Sequence, residues 1–96
     1  MSLTQELIAL IRAKPITDQD LDKAAMFTLD ALACAYAGSN TAVGEILQRW
    51  STQGDMDSRR KALLMAALTH ITETDDLHRA SVTHPGCVVV PAVLSL

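Results

Sequence analysis

The stretch that decides the fold is AAMFTLDALACAYA, residues 24–37. Apart from Thr28 and Asp30, every residue in it is apolar, and alanine predominates. A helix that is apolar on nearly every side is typical of a central helix that neighbours cover on several faces. We therefore expect an α-helical protein built around this segment. Because an unpaired buried charge is costly, we expect Asp30 to be a structural carboxylate paired with a base or a backbone amide.

Local signals at the helix ends predict the bounds of this central helix and of three further helices. The central helix is expected over about Asp18 to Ala37, with Thr17 as its N-cap and Gly38 as its C-terminal cap. The other predicted helices are Thr4–Lys14, introduced by a Ser2–Gln5 capping box, then Thr41–Gln53, and one that starts near Asp57 or Ser58 and carries its apolar stripe to Ile71. The last apolar run, Cys87 to Leu96, is ambiguous between strand and helix because it combines three valines with Pro91.

Composition limits the function classes. The chain has 96 residues, a mass of 10.3 kDa and a net charge of −3, which argues against a nucleic-acid-binding protein. Its longest apolar run, Cys87 to Leu94, is far shorter than the roughly 20 residues of a membrane span, and no signal peptide is expected. We expect Cys34 and Cys87 to be buried, reduced thiols in a cytoplasmic protein.

The chemistry-bearing residues fall in one polar stretch, Thr72 to His84, and in His70 just before it. All three histidines lie within fifteen residues, and three acids lie among them. The set is His70, Glu73, Asp75, Asp76, His78 and His84. Three interpretations remain open from these residues alone. They are general acids and bases, ligands of a metal ion, or polar groups that solvate a loop and cap two helices. The spacing matches no strong zinc signature.

Two motifs resemble one protein family. Residues 75–86, DDLHRASVTHPG, resemble the D-D-x-H…H-P-[GS] signature of the MmgE/PrpD family, and residues 66–73 resemble the lead-in to that signature. Farther upstream, residues 29–39, LDALACAYAGS, are similar to the family's N-terminal L-D-x-L…A-G-S helix. The two motifs occur in the family's order, and the resemblance spans about residues 4–96.

The resemblance implies a fold and a class of reaction. The family includes 2-methylcitrate dehydratase, cis-aconitate decarboxylase and iminodisuccinate epimerase, which act on small polycarboxylates without an iron–sulfur cluster. Its members have a large helical domain and a smaller α+β domain, and are usually dimers. The chain would then be a single helical domain over residues 1–96, corresponding to the N-terminal part of the larger domain. Its fold class would be all-α, a bundle of about five helices, with residues 86–96 helical.

The resemblance also assigns roles to individual residues. It implies that His84 is a catalytic acid/base, that Glu73 occupies an active-site position, and that Asp75, Asp76 and His78 form the family's D-D-x-H element. Apart from the resemblance, Arg79 is the cation nearest to this candidate base in the sequence, and we expect it to bind the substrate. No cofactor and no metal are implied, and the substrate would be a small polycarboxylate.

The family's further substrate-binding residues have no counterpart before Leu96, so we expect the chain alone to have little or no turnover. The apolar run Val88–Leu96 predicts a homo-oligomer that covers it. We expect neither a membrane nor a nucleic-acid partner. Two other functions remain open: a non-catalytic, self-associating helical module, and a small metal-binding protein that uses the histidines and acids.

Overall fold

The computed structural model describes all of residues 1–96 and contains five α-helices and no β-strand. The helices are α1 (Leu3–Ala13), α2 (Asp18–Ser39), α3 (Ala42–Ser51), α4 (Ser58–His70) and α5 (Gly86–Leu94). The all-α fold of five helices is therefore confirmed. None of the five combines the length and the apolar composition that crossing a membrane would require.

Side-chain caps start the first three helices where the sequence predicts. Ser2 forms a capping box with Gln5 at the start of α1, and Thr17 forms one with Asp20 at the start of α2. Thr41 Oγ1 accepts a 3.0 Å hydrogen bond from the backbone N–H of Gly44. Each cap satisfies amide groups that have no partner inside the helix. The helix starts are therefore fixed locally, which is why sequence reasoning places them within a residue or two.

Helix α2 packs on α3, α4 and α5 through a narrow stripe of small residues. Ala31, Cys34 and Gly38 are its buried positions. The prediction that Gly38 caps the helix is wrong, because α2 continues to Ser39. A Cβ at Gly38 would overlap the carbonyl oxygen of Leu68, so glycine is needed here to let α2 and α4 approach.

The prediction that α2 is covered on several faces is also wrong for this chain. Met26, Leu29 and Tyr36 are exposed by 70%, 69% and 75%, because neighbouring helices contact only the small-residue stripe. Asp30 lies on the exposed surface and has no ion-pair partner, so it is not the buried, paired carboxylate that we expected.

The last apolar run forms α5, so the strand alternative is wrong. Pro91 lies inside this helix and is fully buried, while Val90 and Gly86 are its other buried positions. Helix α5 packs on α4 and α2. Both cysteines are free thiols, as expected, but only Cys34 is buried and Cys87 is half-buried.

Helix α1 stands apart from the other four. All eleven of its residues are exposed, and it packs on no other helix. A 2.9 Å salt bridge joins Lys14, just after α1, to Asp20 in the first turn of α2. Together with the α2 capping box, this contact holds the short connection between the two helices.

Candidate functional site

The polar stretch forms a compact loop between α4 and α5. The backbones of His78 and Thr83 pair across it, with the N–H of His78 donating to the carbonyl of Thr83 at 2.8 Å. Glu73 and Val82 have left-handed backbone conformations, with φ of 53° and 52°, where the loop reverses direction. These two reversals return the chain so that the end of α4 and the start of α5 meet. His70 and His84 become neighbours as a result.

Asp75 lies at the centre of this meeting point. Its side chain is 1% exposed. Asp75 Oδ2 lies 3.1 Å from His70 Nδ1 and 3.4 Å from His84 Nδ1. The two imidazoles contact each other edge to face, with ring centroids 4.7 Å apart. A buried carboxylate thus joins a histidine at the end of α4 to a histidine just before α5.

The Asp75 carboxylate is hydrogen-bonded to one of the two imidazoles, that of His70, and faces the other, that of His84. An ionised carboxylate only accepts hydrogen bonds, so His70 Nδ1 must carry a proton to bond with it. His84 Nδ1 is buried and faces the same oxygen, but its contact lacks the alignment of a hydrogen bond. Catalytic hydrogen bonds are often long or misaligned in unliganded sites and tighten when a ligand binds. With Nδ1 directed at Asp75, the Nε2 atom of His84 is the one left to exchange a proton with another group.

Asp76, unlike Asp75, bonds to the backbone at the start of α5. Its two carboxylate oxygens accept hydrogen bonds from the backbone N–H of Gly86, at 3.0 and 3.2 Å. This N–H opens α5, where a negative charge is favourable. A Cβ at Gly86 would overlap the Asp76 carboxylate, so the H-P-G sequence needs its glycine for this contact. The structure therefore places Asp76 as the anchor of α5, beside the histidine pair.

The remaining predicted site residues lie on the exposed part of the loop. His78 Nδ1 bonds to the side chain of Ser81 at 2.7 Å and accepts the Ser81 backbone N–H at 3.3 Å. Arg79 and Glu73 are exposed and form no ion pair or side-chain hydrogen bond. The structure thus brings together Asp75 and His84, whereas Glu73, His78 and Arg79 surround them at the surface. The roles of all these residues stay predictions.

His70 belongs to the cluster although the predicted site does not include it. The sequence places it three residues before Glu73, a spacing that puts both residues on one face at the end of a helix. Its partner is instead Asp75, five residues away, because the chain leaves the helix and turns back at Glu73. The available signal in the sequence was a carboxylate close to both His70 and His84. The loop geometry was needed to show which of the three acids in the loop is the partner.

Cys87 adjoins the same carboxylate. Burial raises the pKa of its thiol above the ordinary 9.0, and the nearby Asp75 carboxylate raises the pKa further. The thiol also donates to the carbonyl oxygen of His84 at 3.2 Å. Because the thiolate is the nucleophilic form of cysteine, this environment disfavours a nucleophilic role for Cys87.

An apolar groove of about 500 Å³ opens between α2 and α5 beside the loop. We call it the α2–α5 groove. Its walls include Ala24 and Phe27 of α2, with Val89, Val93 and Leu94 of α5. Asp76 and His78 lie at its border with the loop. The histidine cluster and a sizeable apolar cavity are therefore adjacent.

The cluster also has donors suited to a metal ion. One donor atom from each of His70, Asp75 and His84 can be chosen so that all three lie within 4.8 Å of one another. Imidazole nitrogen and carboxylate oxygen are both common ligands of zinc. His78 is not part of this set.

Comparison with known protein families identifies the chain. The profile of the MmgE/PrpD N-terminal domain matches residues 4–96. This chain belongs to the MmgE/PrpD family. The match confirms the resemblance carried by the D-D-x-H…H-P-G motif. It covers nearly all of this MmgE/PrpD chain. No curated protein and no solved structure matches the chain.

Proposed function

We propose that this chain supplies the acid/base portion of a cofactor-independent lyase or isomerase that acts on small polycarboxylates, in the manner of 2-methylcitrate dehydratase. The observation that carries the proposal is the placement of His84, in the family's H-P-G motif, against the buried carboxylate of Asp75. In this proposal His84 is the catalytic acid/base, and Asp75 and His70 are positioning residues.

The chemistry requires a base of this kind. Dehydration, decarboxylation and epimerisation of polycarboxylates each add or remove a proton at a carbon close to a carboxylate. Histidine titrates near neutrality and is the residue used most often for such transfers. Asp75 would stabilise the imidazolium of His84 after Nε2 takes the proton, because the two charges are opposite and water is excluded from the carboxylate.

Positive charge near His84 is scarce. Arg79 is the basic residue of the loop, while Arg59, Arg60 and Lys61 lie at the opposite end of α4. That end is about 15 Å from His70 along the helix axis, at 1.5 Å per residue. A polycarboxylate transition state needs cations to stabilise its developing charge. We therefore propose that the 96-residue chain binds such substrates weakly and turns them over little or not at all.

The test combines turnover and binding. The chain is mixed with 2-methylcitrate, cis-aconitate or iminodisuccinate, and product is followed by NMR, while calorimetry measures binding. We expect weak, saturable binding that is lost in His84→Asn, and no measurable turnover. Butyrate, a monocarboxylate, is the matched control and should not bind. Turnover at ordinary enzyme rates would contradict the claim of incompetence, and equal binding by His84→Asn would contradict the role of His84.

A second candidate function is metal binding, and one geometric observation favours it. Two zinc ligands at bonds of about 2.05 Å in a tetrahedral site lie about 3.3 Å apart. The distances from Asp75 Oδ2 to the two Nδ1 atoms are 3.1 and 3.4 Å, and the His84 contact lacks hydrogen-bond alignment. Dialysis against Zn²⁺ followed by elemental analysis tests this function. One equivalent of zinc, lost in both His70→Ala and His84→Ala, would support it, and metal-free protein would remove it.

A further inference from the structure

Val82 has a strained backbone conformation in the loop between α4 and α5. Its φ of 52° lies in the left-handed region, which a β-branched residue rarely adopts. Such strain persists only where the surrounding structure maintains it. The Val82 side chain cannot supply that support through packing, because the residue is 77% exposed. Hydrogen bonds on either side of Val82 must therefore maintain the reversal.

Ser81 and Thr83, the two neighbours of Val82, are joined to each other and to His78. Ser81 Oγ lies 2.8 Å from Thr83 Oγ1 and 2.7 Å from His78 Nδ1. The backbones of His78 and Thr83 also pair, with hydrogen bonds of 2.8 and 3.4 Å. We call the three side-chain atoms Thr83 Oγ1, Ser81 Oγ and His78 Nδ1 the hydroxyl bridge. The bridge connects the residue before Val82 to the residue after it.

One backbone amide sets the direction of both hydrogen bonds in the hydroxyl bridge. The N–H of Ser81 donates to His78 Nδ1 at 3.3 Å, so this nitrogen accepts and carries no proton. The neutral His78 ring therefore has its proton on Nε2. The Ser81 hydroxyl donates to His78 Nδ1, and the Thr83 hydroxyl donates to Ser81 Oγ. His78 thus has the opposite tautomer from His70, whose Nδ1 is protonated against Asp75.

The hydroxyl bridge acts on His84 through the backbone. His84 follows Thr83 directly, and its Nδ1 atom faces Asp75 at 3.4 Å without a hydrogen-bond partner. Since no hydrogen bond at Nδ1 holds the ring, its direction depends on where the backbone places the residue. The φ of Val82, two residues earlier, contributes to that placement. Relaxation of Val82 to an extended conformation would redirect the chain at Thr83 and move His84 away from Asp75.

We propose that Ser81 is a positioning residue for His84. Through the hydroxyl bridge, Ser81 maintains the left-handed conformation of Val82, and this conformation directs the His84 ring at Asp75. The catalytic importance of Ser81 rests on the proposed function, in which His84 is the acid/base. The hydroxyl bridge is measured in the chain without substrate, so a failure here is distinguishable from a failure of the proposed function.

The ring spectrum of His78 tests the direction of the hydrogen bonds. At a pH where the ring is neutral, we expect the ¹⁵N signals of His78 to show an unprotonated Nδ1 and a protonated Nε2. A proton on Nδ1 would be incompatible with the two contacts from Ser81 and would overturn the proposal.

Ser81→Ala tests the consequence for His84. The nuclear Overhauser effect between the rings of His70 and His84, whose centroids are 4.7 Å apart, reports where the His84 ring lies. We expect Ser81→Ala to lose this signal with unchanged helical circular dichroism. Ser81→Thr restores a hydroxyl and should keep the signal. A signal that survives in Ser81→Ala, or that is lost equally in Ser81→Thr, would overturn the proposal.

Thr72→Ala is the matched control. Thr72 Oγ1 and Thr74 Oγ1 lie 2.7 Å apart across Glu73, the other left-handed residue of the loop. Thr72→Ala therefore removes a hydroxyl pair of the same spacing from the opposite arm of the loop. It should leave the exchange rate of the His78 amide proton unchanged, whereas Ser81→Ala should increase it. An equal increase in both variants would show general loosening of the loop and contradict a specific role for Ser81.

A change at Val82 tests whether Ser81 acts through backbone strain. Asparagine adopts the left-handed region more readily than valine does, so the reversal in Val82→Asn should no longer depend on the hydroxyl bridge. We expect Ser81→Ala to abolish the signal between the His70 and His84 rings when residue 82 is valine, and to leave it intact in the Val82→Asn background. Loss of the signal in both backgrounds would overturn the proposal.

Discussion

His84 Nδ1 lies 3.4 Å from Oδ2 of Asp75, and both atoms are shielded from water. This relationship ties the histidine of the H-P-G motif to a carboxylate nine residues earlier. Because Asp75 bonds to His70 and faces Nδ1 of His84, one buried acid contacts both histidines. The proposed acid/base role of His84 in this MmgE/PrpD chain depends on that arrangement.

Replacing Asp75 tests the arrangement directly. Asp75→Asn keeps the size of the side chain but lets its amide donate as well as accept, so the preference for a proton on His70 Nδ1 is lost. We expect the ¹⁵N spectrum of the histidine rings to change tautomer at His70 and His84. We also expect a loss of about 1–3 kcal/mol in the free energy of unfolding, the range for disrupting a buried hydrogen-bonding group.

Asp76→Asn is the matched control for that variant. Asp76 is adjacent in sequence but bonds to the Gly86 backbone rather than to His70 or His84. The Asp76→Asn substitution should weaken the start of α5 and leave the histidine tautomers unchanged. If both variants change the histidine spectrum equally, Asp75 has no special part in orienting the rings.

Gly38→Ala should destabilise the protein although alanine is the better helix former. In an exposed helix this change would stabilise by about 1 kcal/mol. Here the new methyl group would overlap the carbonyl oxygen of Leu68, and we expect a net loss of about 1–3 kcal/mol, as for other overpacked sites. Urea unfolding measures whether the free energy of unfolding falls or rises in Gly38→Ala. A more stable Gly38→Ala protein would show that α2 and α4 are not in close contact at this point.

The thiol of Cys87 should be slow to react. Because burial and the Asp75 carboxylate raise its pKa, less thiolate is present at a given pH than for an ordinary cysteine. In a Cys34→Ser background, alkylation by iodoacetamide should rise with pH along a curve displaced upward from that of a free thiol. Adding Asp75→Asn should move the curve back toward lower pH. A displacement that is unaffected by Asp75→Asn would leave burial and the Asp76 carboxylate as its causes.

The start of α2 should resist acid. Backbone hydrogen bonding from Thr17, followed by bonding from Lys14, lowers the pKa of Asp20 from 3.8 to about 2. A lowered carboxyl pKa means that the contribution of Asp20 to stability is complete above its ordinary pKa and is lost as pH falls through about 2. The carboxyl ¹³C resonance of Asp20 measures the midpoint. Lys14→Met should raise it part of the way, and a wild-type midpoint near 3.8 would contradict the capping geometry.

The helix ends could be predicted from the sequence, but the side chains of α2 that neighbouring helices leave exposed could not. Thr17 and Ser2 cap their helices as predicted, because a cap involves only residues three positions apart. The exposure of Tyr36 and Asp30 was not foreseen, since apolar composition shows that a helix can be covered but not what covers it. At the site, His84 and Asp75 were predicted from the motif. His70 was recognised as part of the polar set but not as the partner of Asp75, because that bond depends on the reversal of the chain at Glu73.

The most direct test of the central claim is the ¹⁵N ring spectrum of His84 during titration with cis-aconitate. We predict that unliganded His84 carries its neutral-form proton on Nδ1, facing Asp75, and that cis-aconitate shifts Nε2 saturably. Butyrate should cause no shift, and Asp75→Asn should abolish the Nδ1 preference. A proton on Nε2, or a spectrum that cis-aconitate leaves unchanged, would contradict the proposal that Asp75 orients His84 as the base of a polycarboxylate site.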